Sequence, residues 1–242
     1  MSASLGEAIA HAWVDPAVRR AHPDYVALLI QATGLQPGPT SVHSEALLRE
    51  AQTRAVTQLE GREPQELSEI QQWRLAYQAF GVKPRQARSS VEALVRRAES
   101  GLPRIDRLTD VYNAVSVLRL LPIGGEDLAG YQGAARLVVA QGGEPFDTVA
   151  DGQSVVDVAE AGEIIWRDDV GVTCRRWNWR QCARTRLGAA TTEALFILDA
   201  LGADAHAVAE TAAADLISNL LVDSPDAEFM TRTFTDEEYS AC

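Results

Sequence analysis

The chain is short of residues on which whole classes of protein depend. Three cysteines in 242 residues, Cys174, Cys182 and Cys242, cannot build a disulfide framework. They form no close cluster with histidine, so no metal site is expected, and a reducing, cytoplasmic setting fits best. His11, His22, His43 and His206 leave residues 44–205 without histidine, which removes a local histidine relay from that stretch. No apolar run approaches the roughly 18–20 residues of a membrane span. Residues 1–10 lack a basic and then apolar leader, so neither a membrane partner nor a secretory route is expected. The phosphate-binding loop, the dinucleotide glycine fingerprint and the Gly-x-Ser-x-Gly elbow are all missing, and no cofactor is expected.

What is present is ordinary globular material. Hydrophobic residues make up 46% and charged residues 23%, which excludes global disorder. The length suits one large domain or two small ones. With 22 basic and 34 acidic residues the net charge is -12, which argues against general nucleic-acid binding. The charge is uneven. Residues 191–242 hold 11 acidic side chains and one basic, Arg232, whereas residues 74–107 hold eight basic and three acidic. A second basic cluster comprises Arg175, Arg176, Arg180, Arg184 and Arg186. Such patches are either solvated faces or local contacts to phosphate or carboxylate, which the planar arginine fork suits.

Periodicity and turn residues outline the elements. Residues 25–35 read as a buried strand ending at Gly34, followed by a Gln36-Pro37-Gly38-Pro39 turn. Helices are expected over 43–59, with Ser44 as a possible cap, over 66–80, over 89–98 capped by Ser89 or Ser90, and over 108–121. Residues 137–140, 162–167 and 171–175 read as short strands. Residues 191–198 lean to strand, and 205–221 form a helix with Val208, Ala212, Leu216 and Leu220 on one face. Residues 229–242 read as a loose acidic tail. Helices, then strands, then a closing helix give an α+β fold.

Three segments concentrate polar chemistry. In 110–116, Asn113 is unfavourable in mid-helix and should make a specific hydrogen bond, to a neighbouring loop or to a ligand. In 121–127, Gly124-Gly125 forms a tight turn or lets the backbone approach a ligand. Residues 174–181 combine two tryptophans, three arginines, Asn178 and Gln181. As a strand they would put Trp177 and Trp179 on one face and Arg176, Asn178 and Arg180 on the other. Asp168-Asp169 beside a glycine reads as a β-turn more readily than as a metal site.

Taken in order, residues 77–84, 89–94, 104–105, 110–117, 121–127, 162–165 and 175–180 resemble the B3/B4 domain of the phenylalanyl-tRNA synthetase β subunit. They resemble the freestanding B3/B4-domain proteins more closely still. The resemblance implies a β-sandwich-like core flanked by helices, with residues 1–20 as an N-terminal segment, 21–222 as the domain and 223–242 as an acidic tail. It implies an editing activity, hydrolysis of the ester of a mischarged tRNA in trans, with the charged 3′ end and its amino-acid moiety as partners. Asn113, Gly124 and Gly125 would be catalytic. Tyr112, Arg175, Arg176, Asn178, Arg180 and Gln181 would bind substrate, and Lys83, Arg85, Arg88, Arg96 and Arg97 would touch RNA. Tyr112 stands where the synthetase has threonine and Gly124 where it has a pocket histidine, and residues 175–181 hold no glutamate. A module that binds tRNA, an amino acid or a nucleotide without turnover is the alternative. A third reading has the acidic stretch from Ala205 onward docking a partner.

Overall fold

The computed structural model describes residues 6–83 and 85–235. The fold is α+β. In chain order the elements are α1 (Glu7–Ala10), β1 (Trp13–Val14), α2 (Pro16–Ala21), β2 (Val26–Thr33), α3 (Val42–Leu59), a 3-10 turn (Pro64–Glu66) and α4 (Ser68–Ala79). Then come α5 (Ser90–Val95), α6 (Arg107–Arg119), β3 (Ile123–Asp127), β4 (Arg136–Val139), β5 (Pro145–Ala150), β6 (Gln153–Val158) and β7 (Ile164–Arg167). The chain closes with β8 (Val172–Arg175), β9 (Arg180–Gln181), β10 (Ala194–Ala200), α7 (Ala205–Asp223) and β11 (Glu228–Phe234).

Among the described residues the strands form three sheets. One is antiparallel, in the order β11-β2-β10-β3. The second runs β1-β4-β7-β8-β9, with β1 parallel to β4 and the other pairs antiparallel. The third is the β5–β6 hairpin. The first two are joined through one hydrophobic core that takes Leu29 and Leu198 from one and Leu137, Ile164 and Trp166 from the other. Helix α7 packs on β2 and β10, and α6 packs on β3. Every residue of β10 is buried, so its sequence is a continuous apolar run broken only by Asp199. The same cover makes β2 almost wholly apolar.

Several expectations change. The cap of α3 is Ser41, and Ser44 is its capping-box partner, Ser44 Oγ accepting from the Ser41 amide. Residues 121–127 are not merely a turn: β3 pairs along its length with β10. Residues 174–181 are not one strand, because β8 and β9 are split by a turn at 176–179. Val208 is 36% exposed, and the buried face of α7 runs instead through Ala205, Ala209, Ala212, Leu216 and Leu220.

The tail expected over 229–242 is a strand as far as Phe234, and 236–242 lie outside the described residues. It is held because β2 offers a free edge, Phe234 is buried and Arg232 stacks over the Phe234 ring at 4.5 Å. The Arg232 guanidinium also donates to the carbonyls of Ile9, Ala10 and Ala12, tying the strand to the first helix. The β5–β6 hairpin had a signal in Asp151-Gly152. Both residues take positive φ, 51° and 76°, as a tight hairpin turn demands. Among the described residues no helix is long and apolar enough to cross a membrane.

Candidate ligand cavity

A cavity of about 180 Å³ lies where α6, β3, β10 and the β8–β9 turn converge. Helix α6 is started by the Asp106 carboxylate, which accepts from the Thr109 amide, and stopped by Leu120 in the left-handed conformation (φ 53°). Ser116 Oγ donates to the Leu121 carbonyl at 2.6 Å and locks the reversal into β3. This short return brings Tyr112 and Asn113 to the same cavity as Gly124. A Cβ built on Gly124 meets nothing within 4 Å, so the missing side chain opens the cavity at that point. Gly125 faces the other way, against Tyr112, Leu187 and Phe196.

The opposite wall is set by backbone strain. Arg176 and Trp177 both take positive φ, 48° and 67°. Two such non-glycine residues cost on the order of 1–3 kcal/mol each and need tertiary contacts to hold them. Trp177 is fully buried, edge-on to Tyr25 at 4.8 Å, His22 at 5.0 Å and Trp73 at 5.2 Å. Arg176 stacks over Trp179 at 4.6 Å and pairs with Glu163 at 3.1 Å. The tight turn places Trp177, Asn178, Trp179 and Arg180 together on the cavity wall.

The polar groups divide into the committed and the uncommitted. Asn178 accepts from the Tyr77 hydroxyl at 2.9 Å and donates to Asp199 at 3.2 Å. Asp199 also accepts from the Tyr25 hydroxyl at 2.6 Å. The indole N–H groups of Trp166 and Trp177 stand toward Asp199 without good hydrogen-bond geometry. Burial lifts the Asp199 carboxyl to about 6 despite these donors. Gln181 Nε2 is shared between the Gly125 carbonyl, Glu126 Oε2 and the Thr185 carbonyl. Glu126 is wholly buried, and burial lifts its carboxyl to about 8 against the pull of Thr185 and Gln181. By contrast, among the described residues the side-chain amide of Asn113, 8% exposed, has no hydrogen-bond partner, and neither has the Ser90 hydroxyl. Both line the cavity. Of the two partners open to this mid-helix asparagine, a neighbouring loop or a ligand, the described residues supply no loop bond, and Asn113 lines the cavity.

Of the nine candidate pocket residues, the structure brings Tyr112, Asn113, Gly124, Asn178, Arg180 and Gln181 onto one wall system. Gly125 sits directly behind it. Arg175 does not face the cavity. It is buried in a bidentate pair with Glu163, at 3.0 and 2.5 Å, and reaches Asp157 at 2.6 Å. Arg176 is likewise spent on Glu163, Glu160 and the Trp179 ring. Lys83, Arg85, Arg88, Arg96 and Arg97 are all exposed and outside the cavity. They adjoin it through Ser90, whose amide donates to the Asn178 carbonyl at 3.0 Å. Arg88 and Arg96, with Arg74, converge on the single buried carboxylate of Glu92, so the face keeps a positive surplus. Asp168-Asp169 does form a turn, with the Asp168 carboxylate accepting from the amides of Val170 and Gly171 and pairing with Arg184.

Sequence reasoning passed over Glu126, Cys174, Trp166 and Asp199, all of which line the cavity. Asp199 carried a signal, as the lone charge in an apolar strand. Glu126 carried one too, as a carboxyl beside paired glycines on the same strand.

The architecture defines an α+β domain in which two sheets and a helix enclose a small cavity with a polar and aromatic lining. The B3/4 domain family model matches residues 72–219, which contain every residue lining the cavity, and the chain belongs to that family. The chain is also similar, with 11% identity and a TM-score of 0.45, to a crystal structure of an N-terminal fragment of the phenylalanyl-tRNA synthetase β subunit from Pyrococcus horikoshii. The match covers 93% of this chain and 54% of that one, so this chain spans about half the length of the fragment. No curated protein matches it.

Proposed function

We propose that this chain is an aminoacyl-tRNA deacylase acting in trans, which takes the aminoacyl group of a charged 3′ end into the cavity and hydrolyses its ester. The observation that carries the reading is the unpartnered amide of Asn113, nine-tenths buried and lining a cavity whose other side chains are largely committed. The Asn113 amide atoms are not sealed from solvent, so a ligand in the cavity can take the place of water on them. At about 180 Å³ the cavity is below the roughly 300–1,000 Å³ of drug-sized sites and suits a group of amino-acid size. An aminoacyl ester is already activated, so orienting a water and stabilising the carbonyl oxygen are sufficient chemistry. Asn113 orients the water or the ester, Tyr112 and the tryptophans enclose the amino-acid side chain, and Arg180 at the exposed rim meets phosphate. The face from Lys83 to Arg97 carries the acceptor stem, by phosphate contact.

Binding without turnover is the second reading. It is favoured by the lack of a histidine among the described lining residues. A deacylation time course separates the two. Purified protein is mixed with tRNA charged with tyrosine, phenylalanine and a panel of small amino acids. Hydrolysis of one species, reduced about 10²–10³-fold in Asn113→Ala with the fold intact, supports the enzyme. Hydrolysis of none, with saturable binding, supports the module.

A further inference from the structure

Glu126 shares the cavity wall with Gly124 and Asn113, and its carboxyl is only half tied down. It lies on β3 two residues after Gly124, and the alternation of a strand puts both on the same face. One carboxyl oxygen, Oε2, is pinned from behind by Gln181 Nε2 at 2.8 Å and by the Thr185 hydroxyl. Thr185 is itself fully buried, and its hydroxyl lies 3.1 Å from Cys182 Sγ. The other oxygen, Oε1, has no partner among the described residues. The carboxyl is thus fixed in orientation with one oxygen left to the cavity.

We infer that Glu126 is the hydrogen-bond donor of the cavity, its Oε1–H directed at the carbonyl oxygen of the bound aminoacyl ester. This inference rests on the deacylase reading for its substrate. A carboxylic acid can donate only while protonated, and burial raises the Glu126 carboxyl to about 8, so the acid form prevails at neutral pH. The charged groups around it do not reverse this. Arg184 pulls the carboxyl down, but it is paired with Asp168, which pushes it up. Cys174 on β8, Cys182 before Thr185, Tyr112 on α6 and Tyr131 are all raised by burial and stay neutral. Asp199, raised to about 6, is the remaining carboxyl on the cavity wall, and Arg180 is the exposed cation at the rim.

The step balances without a base. The water oxygen forms a bond to the acyl carbon, and the bond to the tRNA 3′ oxygen breaks. The departing oxygen takes a proton from the adding water. Glu126 shares its proton with the carbonyl oxygen while charge gathers there and keeps it at the end, as a neutral buried carboxyl can.

The test is the ratio of hydrolysis rates, wild type over Glu126→Gln, from pH 6 to pH 9.5. The ratio cancels ionisation of the substrate, and uncatalysed hydrolysis is subtracted. A glutamine keeps a donor toward the cavity and an acceptor toward Thr185, so at pH 6–7 it should stay within about tenfold of wild type. Above pH 8 the ratio should fall about tenfold per pH unit, because only the wild type loses its donor. Glu126→Ala should lose about 10²-fold at pH 6–7. Thr185→Val removes a hydrogen bond that favours the ionised carboxyl, so its break should move to higher pH, a shift that a purely structural residue would not cause. A ratio flat across pH, or Glu126→Ala at the wild-type rate, overturns the inference. If the wild type hydrolyses nothing, the deacylase reading fails by itself, and the inference is read from calorimetric affinity for a panel of L-amino acid amides. A ratio of wild-type to Glu126→Gln affinity that falls above pH 8 supports the donor, and a flat ratio overturns it.

Discussion

Replacing Glu126 by glutamine should change how the stability of the fold depends on pH, by an amount the structure sets. The carboxyl is wholly buried, and its range moves from 4.5 to about 8 on folding. Between those values the unfolded chain has released the proton and the folded chain still holds it. Folding is therefore penalised progressively as pH rises, by about 1.4 kcal/mol per unit and about 5 kcal/mol across the whole interval. The loss is complete above pH 8 and absent below about 4.5. Glutamine carries no such proton, and its amide oxygen can still accept from Gln181 and Thr185. Asp199, raised from 3.8 to about 6, titrates in both proteins and drops out of the comparison. Urea unfolding of the two proteins at half-unit steps from pH 5 to pH 8 gives the difference directly. The wild type should lose about 4 kcal/mol relative to Glu126→Gln over that range. Parallel curves would refute the reasoning, since they would mean that Glu126 ionises in the folded protein as it does in water.

Other consequences follow from single positions. Gly124→Leu should fill the cavity while the protein stays folded, because a Cβ there has open space and the backbone is not in the left-handed region; loss of ligand binding with an unchanged urea midpoint checks it. Trp177→Ala should cost about 3–5 kcal/mol in urea unfolding, since the ring is fully buried among Tyr25, His22 and Trp73 and also holds the strained turn. A cost below about 1 kcal/mol would show that the turn does not depend on it. Arg85→Glu with Arg97→Glu should weaken tRNA binding and reduce its salt slope by about 1 for each phosphate no longer neutralised, as measured by filter binding at several salt concentrations. An unchanged slope would place the RNA on another face.

Much of the helical half was legible because its signals are local. A buried strand over 26–33, helices over 42–59 and 90–95 and the apolar run of β10 follow from hydrophobic spacing and short polar caps. Ser89 caps α5 from three residues away, accepting from the Glu92 amide, and needs no tertiary partner to do so. The segments around Asn113, Gly124 and Asn178 could be singled out because mid-helix asparagine, paired glycines and crowded tryptophans are unusual by composition alone.

The sequence by itself could not say which side chains were already taken. Arg175 and Arg176 look like ligand-binding arginines until Glu163, Glu160 and Asp157 are folded against them. Asn113 reads equally as a structural or a ligand-facing asparagine until the described residues are seen to offer its side chain no partner. Residues 229–234 look like part of a loose tail until β2 presents an open edge. Glu126 looks like any surface acid until burial changes its proton affinity. Propensity, capping and hydrophobic period depend on neighbours a few residues away, so they are determined along the chain. Pairing, burial and the left-handed turn at Arg176 and Trp177 depend on residues brought close only by folding, and those contacts decide which polar groups remain free to bind.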